Sequence, residues 1–405
     1  MSRSIWELML IIVLAANLVL AIGEQATTPL APLFCPVAAV PHSYIVILSP
    51  DLSRTRIVDH FRWLTRLMTA YEINGCDHVG MLVTRRYDVQ GFIGYAGTFE
   101  DGVIDRIRAR EEVLYVECDA RVHVVEEKVQ YPAPWGLARI SHRHFHDPCA
   151  TRMYFYKDVP GPNVEVYVLD TGIRTDHVDF IGRASWGITV PENEEDIDVN
   201  GHGTHVAGII GGRAFGVAKR SRLIAVKVMR SDGSGAISDV MAGMQWVVDH
   251  HKTNRTVINM SLGGPKSKAL NAMSVEHGVV VVVAAGNSDV DACENSPASA
   301  RQAISVGATT IQDTKAYFSN YGMNIPSTWN TSPRSTRILS GTSMAAPHVA
   351  GLAAYAMQVT GKAHPHEIRS IMQAWATKNV LKYLPNQTPN ELAYNNASNH
   401  IYAAI

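Results

Sequence analysis

Apolar residues recur along this chain with two different periods. Between Leu52 and Tyr71, Ile57, Phe61, Leu64 and Leu67 fall on one face at helical spacing. Ser43–Leu48 and Val113–Val116 are short apolar runs that predict strands, Gly91–Phe99 predicts a strand or hairpin, and Asp101–Arg110 a helix. That βαββαβ-like order, within roughly 80 residues, predicts a small α+β domain. From residue 136 the texture changes. Strand candidates Val164–Leu169, Leu223–Met229, Val257–Leu262, Val279–Ala285 and Ala303–Ala308 alternate with helix candidates Thr204–Gly211, Ser238–His250 and Ser343–Val359. Alternating β and α segments predict an α/β fold, a doubly wound, mostly parallel sheet with helices on both faces. Functional groups on such sheets sit beyond the strand C-termini. Residues 24–41, with Pro29, Pro32, Pro36 and Pro41, read as a linker, and 126–135 as a second, charged break.

The first residues follow another rule. Arg3 precedes Leu8–Ile22, which is apolar apart from Asn17, and small residues surround a cut after Gly23. This is the pattern of a secretory signal peptide over 1–23. The run is shorter than the ~20 residues that a bilayer core requires. Composition narrows the class further. The 405 residues are 46% hydrophobic with a net charge of -1, which excludes disorder for most of the chain and a global basic field for nucleic acid. The cysteines, Cys35, Cys76, Cys118, Cys149 and Cys293, are too few for a disulfide-built scaffold and odd in number. Asn254, Asn330, Asn386 and Asn396 head glycosylation motifs. Asn259 heads one too, inside an apolar run, and is expected to stay unmodified. The cluster His142-Arg-His144-Phe-His146-Asp147 reads as a solvated surface loop, with no metal assigned.

Three segments carry chemistry. Asp170 closes the apolar strand Val166-Tyr-Val-Leu-Asp. His202 opens a helix in Asn200-Gly-His202-Gly-Thr-His205. Ser343 stands at a helix start in Ser340-Gly-Thr-Ser343-Met-Ala-Ala-Pro. Asp, His and Ser together suit nucleophilic acyl transfer. The imidazole takes the hydroxyl proton, and the carboxylate holds its tautomer and stabilises the imidazolium. A serine at a helix N-terminus also has backbone N–H groups directed at a developing oxyanion. Ala284-Ala-Gly-Asn287 places an amide after a buried strand, where it can donate the second oxyanion bond. Each segment alone reads as a turn or cap; four in order at strand–helix junctions favour the catalytic reading.

The segments Asp170-Thr-Gly, His202-Gly-Thr-His and Gly341-Thr-Ser343-Met-Ala resemble the three signatures of subtilisin-like serine proteases, whose chain order is also Asp, His, Ser. Ala133-Pro-Trp-Gly-Leu-Ala-Arg-Ile-Ser, Phe215-Gly-Val-Ala-Lys, Met260-Ser-Leu-Gly-Gly and Ser296-Pro-Ala-Ser resemble the proteinase K and cerevisin branch. Arg183-Ala-Ser-Trp-Gly and the tail from Lys378 to Asn395 resemble the vacuolar cerevisin group. The resemblance implies a serine endopeptidase of broad specificity, made as a self-processing zymogen and acting as a monomer on peptide substrates. It implies a propeptide over 24–127 whose inhibitor-like domain spans about 43–125, a cut near Glu126–Val129, and a peptidase domain over 128–405. By motif, Ser261, Leu262, Gly263, Ala284, Ala285 and Gly286 wall the pocket for the residue before the scissile bond. Gly233, Ser234 and Gly235 offer an edge to an extended peptide. After processing, Cys149 and Cys293 remain and could pair. Secretion is expected, with a vacuole as the alternative, and no membrane span is expected after signal removal.

Two departures from that pattern stand out. Phe318-Ser-Asn-Tyr-Gly322 runs directly into Met323, where the family inserts a strand and an Ala-Pro-Gly turn carrying an acid of its strong calcium site. The carbonyls of Gln302 and Ile304 would remain without that acid, so structural calcium is doubtful and no cofactor is required for the chemistry. The helix between Gly264 and Gly278 is also short. The first departure leaves a catalytically impaired binding protein as the alternative function. A zinc site on His202 and His205 lacks a third ligand.

Overall fold

A computed structural model describes residues 29–35, 39–73, 82–89, 91–120, 127–144, 150–159, 163–274, 278–315, 317, 325–385 and 388–397. The chain divides into two units, residues 1–122 and 123–405, each with its own hydrophobic core.

In the first unit the elements run β1 (Leu33–Phe34), β2 (Ala39–Leu48), α1 (Arg54–Ile73), β3 (Leu82–Val89), β4 (Phe92–Thr98), α2 (Asp101–Arg108) and β5 (Val113–Ala120). They form a sheet in the order β1-β5-β2-β4-β3. The alternate residues Tyr44, Val46 and Leu48 of β2 face Leu64 and Leu67 of α1 and Val103, Ile104 and Ile107 of α2 in one core. Period 2 on the strand thus meets period 3.6 on the helices. Two expectations need correction here. β3 was not anticipated, because Leu82-Val-Thr-Arg-Arg-Tyr-Asp-Val carries three charged residues in eight and lies on the sheet edge. The presumed linker 24–41 contributes β1 and the start of β2, with Cys35 bridged to Cys118 at a Cα separation of 4.7 Å.

In the second unit β6 (Glu127–Gln130) pairs antiparallel with β7 (Tyr154–Lys157) around α3 (Trp135–Ile140), so the charged break at 126–135 is partly strand and helix. The main sheet comprises β8 (Glu165–Asp170), β9 (Ala184–Thr189), β10 (Arg222–Lys227), β11 (Thr256–Met260), β13 (Val280–Ala284) and β15 (Ile304–Val306). β12 (Gly264–Pro265) and β14 (Asn295–Ser296) make a separate two-residue ladder. The main order is β15-β13-β11-β8-β10-β9, and its pairs are parallel. β9 is the strand the sequence did not announce, since its residues Ala184-Ser-Trp-Gly-Ile-Thr are only partly buried.

β8 lies inside the sheet with both faces covered. Val166 and Val168 enter the core shared with α4 (His202–Gly211) and α7 (Thr342–Thr360). Tyr167 and Leu169 enter the core shared with α5 (Ile237–His250) and α6 (Lys268–Met273). This explains the unbroken apolar run: a parallel strand buried on both faces has no polar side. β16 (Ile325–Thr328) and β17 (Thr336–Leu339) form a hairpin, and α8 (Pro365–Trp375) follows α7. No helix among the described residues is long and apolar enough to cross a membrane.

Candidate active site

Asp170 ends β8 and is 1% exposed. Its Oδ1 accepts from the Thr171 backbone N–H at 2.8 Å and from His202 Nδ1 at 2.7 Å. A carboxylate only accepts, so Nδ1 carries the imidazole proton and Nε2 keeps its lone pair. His202 is the first residue of α4, and Gly201 before it has φ 96°. That left-handed conformation favours glycine. A β carbon there would also lie 2.6 Å from Asn330 Oδ1 and 2.7 Å from the Trp329 ring. Burial, the largest influence on the His202 ring, opposes its charged form. The charge and hydrogen bond of Asp170, with the charge of Asp198, outweigh burial and hold the ring above its usual value.

Ser343 is the second residue of α7, which starts after Gly341 at φ 149°. The hydrogen bond its hydroxyl makes runs to the Ser261 carbonyl at 3.0 Å, not to His202. Asp170 and His202 are therefore paired, while the Ser343 hydroxyl is bonded to the Ser261 carbonyl. Asn287 is exposed beyond β13. Its Oδ1 accepts from the Thr342 backbone N–H at 2.9 Å and from Thr342 Oγ1 at 3.0 Å. A backbone N–H can only donate, so the amide is oriented and Nδ2 is left as a donor. A β carbon placed on Gly341 would lie 3.6 Å from Nδ2 and 3.8 Å from the Ser343 nitrogen. Asn287 Oδ1 lies at the same 3.6 Å, so the Asn287 amide and the Ser343 nitrogen both border Gly341.

The expected pocket walls come together here as well. Ser261–Gly263 follow β11 and reach Ser343 through the Ser261 carbonyl. Ala284–Gly286 end β13, and the Gly286 carbonyl accepts from Thr342 Oγ1 at 3.4 Å. Gly233–Gly235 are surface-facing but form a turn, with Arg230 N–H bonded to the Ser234 carbonyl at 2.7 Å. A cavity of about 460 Å³ lies elsewhere, between β15, α7 and α8, lined by Val306, Ala345, Val349 and Met372 among others. The site residues themselves lie at the C-terminal ends of β8, β11 and β13 and at the starts of α4 and α7.

Sequence reasoning missed the supports. Asp198 is buried and bonds Thr171, Gly201 and Thr204. Lys227, fully buried on β10, pairs with Glu194 at 2.9 Å and donates to the Ile197 carbonyl at 2.9 Å. Ser231 and Lys227 together hold the Glu194 carboxyl down at about 2. Asp198-Val-Asn-Gly reads as a plain turn, and only its position four residues before His202 gave a signal.

Other expectations resolve individually. His142 is buried, not solvated, with Nδ1 against the Ala138 carbonyl at 2.7 Å, while His146 and Asp147 lie outside the described residues. His205 Nε2 meets the Arg337 carbonyl at 3.1 Å. Cys293 is free and exposed, and Cys149 lies outside the described residues. Asn259 is buried in β11, and Asn330 spends its amide on the Asp198 and Val199 carbonyls, so neither is an open acceptor. The residues around 322–323 also lie outside the described set. For the calcium site that the resemblance implies, the Gln302 carbonyl already accepts from the Arg369 guanidinium. A guanidinium there competes with a metal ion for that oxygen.

A doubly wound parallel sheet with an acid–imidazole pair at one strand end, and a serine at a facing helix start, defines a hydrolase that uses a serine. Comparison with known proteins fixes the particular kind. Residues 161–394 match the subtilase family (peptidase S8), and residues 43–125 match the peptidase inhibitor I9 family. Alkaline protease 2 of Aspergillus fumigatus is 41% identical over 412 residues, covering 90% of this chain and 83% of the relative. The subtilisin-like serine protease Pen c 2 of Penicillium citrinum is 40% identical, covering 90% of each. A crystal structure of a cold adapted subtilisin-like serine proteinase aligns with TM-score 0.61 and 38% identity, covering 66% of this chain and all of that one. The chain belongs to the subtilase family, as a serine-type endopeptidase preceded by an I9 inhibitor domain.

Proposed function

We propose that this chain is the zymogen of an exported subtilase in which Ser343 is the nucleophile, His202 the general base and Asp170 its orienting partner. The observation that carries the reading is the 2.7 Å contact between Asp170 and His202 Nδ1, which leaves Nε2 with the lone pair that a general base needs. Turning about its Cα–Cβ bond frees the Ser343 hydroxyl from the Ser261 carbonyl. Nε2 takes the proton as Oγ attacks the substrate carbonyl, and the imidazolium returns it to the leaving amine. Asn287 Nδ2 and the Ser343 backbone N–H then receive the oxyanion, and water releases the acyl group by the same route.

Substrate enters as an extended segment. The small residues at 261–263 and 284–286 leave a roomy apolar pocket, which supports broad specificity, and the surface of Gly233–Gly235 supports the peptide backbone. The inhibitor domain acts in cis until the protease cuts near Glu126–Val129. Its bridge between Cys35 and Cys118 suits folding in an oxidising compartment, and with the signal-like segment 1–23 it supports secretion. Exposed Asn254 and Asn396 are the acceptors we assign for glycans. We infer a monomer that holds no calcium at Gln302, because Arg369 serves that carbonyl.

Intact mass and N-terminal sequencing of wild type beside Ser343→Ala test the reading. Wild type is expected to lose roughly residues 1–127 by its own action, while Ser343→Ala keeps its propeptide. If both stay full length after signal removal, the triad assignment fails and a binding role becomes the better account.

A further inference from the structure

The bond between Asp170 and His202 spans elements that nothing local holds together, since the two residues lie 32 apart in the chain. A second carboxylate sits beside that bond. Asp198 is 6% exposed, and each of its oxygens takes two donors. Oδ1 accepts from Thr171 Oγ1 at 2.9 Å and from the Gly201 N–H at 2.8 Å. Oδ2 accepts from the Thr204 N–H at 2.9 Å and from Thr204 Oγ1 at 2.5 Å. Thr171 Oγ1 in turn accepts from the Gly203 N–H at 3.0 Å.

The partners are not scattered. Thr171 follows Asp170 directly, while Gly201, Gly203 and Thr204 surround His202 in sequence. The main chain of Asp198 is pinned as well, because its carbonyl accepts from Asn330 Nδ2 at 2.9 Å. With its four lone-pair sites filled, the carboxylate has one geometry. We propose that Asp198, acting through Thr171, is the positioning residue that fixes the Asp170–His202 pair, clamping the end of β8 to the start of α4. This rests on the catalytic roles proposed above for that pair.

A plain helix cap would hold only Gly201 and Thr204. The arm to Thr171 reaches the other catalytic element and marks the difference. The charge of Asp198 also bears on His202, so a proton readout reports whether the carboxylate sits beside the pair, and the Thr171 link separates positioning from capping. The other charged or titratable groups near the ring are few. Asp170 bonds it from β8, and His205 on α4 is turned to the Arg337 carbonyl. Lys227, opposite Asp170 in register on β10, is paired with Glu194, and Arg337 lies over the Trp329 ring.

The test uses the full chain. In the Ser343→Ala background, His202 is titrated by NMR with and without Asp198→Asn. Loss of the Asp198 charge should lower the midpoint, because less negative charge then remains to stabilise the imidazolium. An unmoved midpoint overturns the proposal. This readout needs no hydrolysis, so it stands apart from the sequencing experiment that tests the triad. In active protein, Thr171→Val keeps both carboxylates and removes the hydroxyl that bonds Asp198 and accepts from the Gly203 N–H. It should lower kcat by up to about 100-fold, the scale of a 1 Å misplacement, with little change in KM. Thr171→Ser restores the hydroxyl and should recover most of the rate. If Asp198→Asn fails to fold, the Thr171 pair decides: wild-type kcat in Thr171→Val, or no recovery in Thr171→Ser, overturns the clamp.

Discussion

Asn287 has two separable tasks, and a pair of variants divides them. Its Oδ1 receives the Thr342 N–H and hydroxyl at 2.9 and 3.0 Å, which ties the start of α7 to the end of β13. Its Nδ2 is the donor assigned to the oxyanion. In Asn287→Ala both are lost. Removal of one preorganised oxyanion donor costs about 2.7–4 kcal/mol of transition-state stabilisation, or about 10²–10³ in kcat. Removal of the acceptor leaves the Thr342 N–H without its side-chain cap, worth about 1 kcal/mol of stability at a helix start. Asn287→Asp keeps an acceptor for Thr342 but has no donor, and it places negative charge where the oxyanion forms. Its stability should therefore stay near wild type while its kcat falls at least as far as in Asn287→Ala. Steady-state kinetics on a chromogenic peptide, beside thermal melts, measure both quantities, with KM nearly constant because the ground-state carbonyl gains little from the donor. A kcat loss below about 10-fold in Asn287→Ala, or a loss confined to KM, refutes the assignment. Self-processing slows in parallel, so both variants should accumulate precursor.

Three further outcomes follow from the geometry. His202 must be neutral to act as base, and its raised value means that protonation persists to higher pH; the acid limb of kcat/KM should lie above the ordinary imidazole value of about 6.5. A limb below that value, read from a pH–rate profile, contradicts the ion pair. Gly201→Ala puts a methyl 2.6 Å from Asn330 Oδ1 at a left-handed φ, and should destabilise by about 1–3 kcal/mol while lowering kcat through displacement of His202. Thermal denaturation with EDTA and with added calcium should give the same Tm, because Arg369 serves the Gln302 carbonyl; a Tm rise with calcium would show that the guanidinium yields to the ion.

The sequence was most legible where one residue type had one physical reason to be present. β8 was found because a strand buried on both faces must be apolar throughout, and Asp170 stood out as the charge at its end. His202 and Ser343 were legible because helix starts need small or polar neighbours, and Gly201 and Gly341 supplied them at positive φ. Edge elements were not legible. β3 and β9 are half-exposed and carry no clean alternation, and β6 looked like a linker because its partner β7 lies beyond α3. Asp198 shows the remaining limit. Its segment reads as a plain turn, and its consequence depends on Thr171, which follows β8, 27 positions earlier. Local pattern can identify a group that saturates its hydrogen bonds. It cannot say which elements those bonds join, and here the joining of β8 to α4 is what holds the acid against the imidazole.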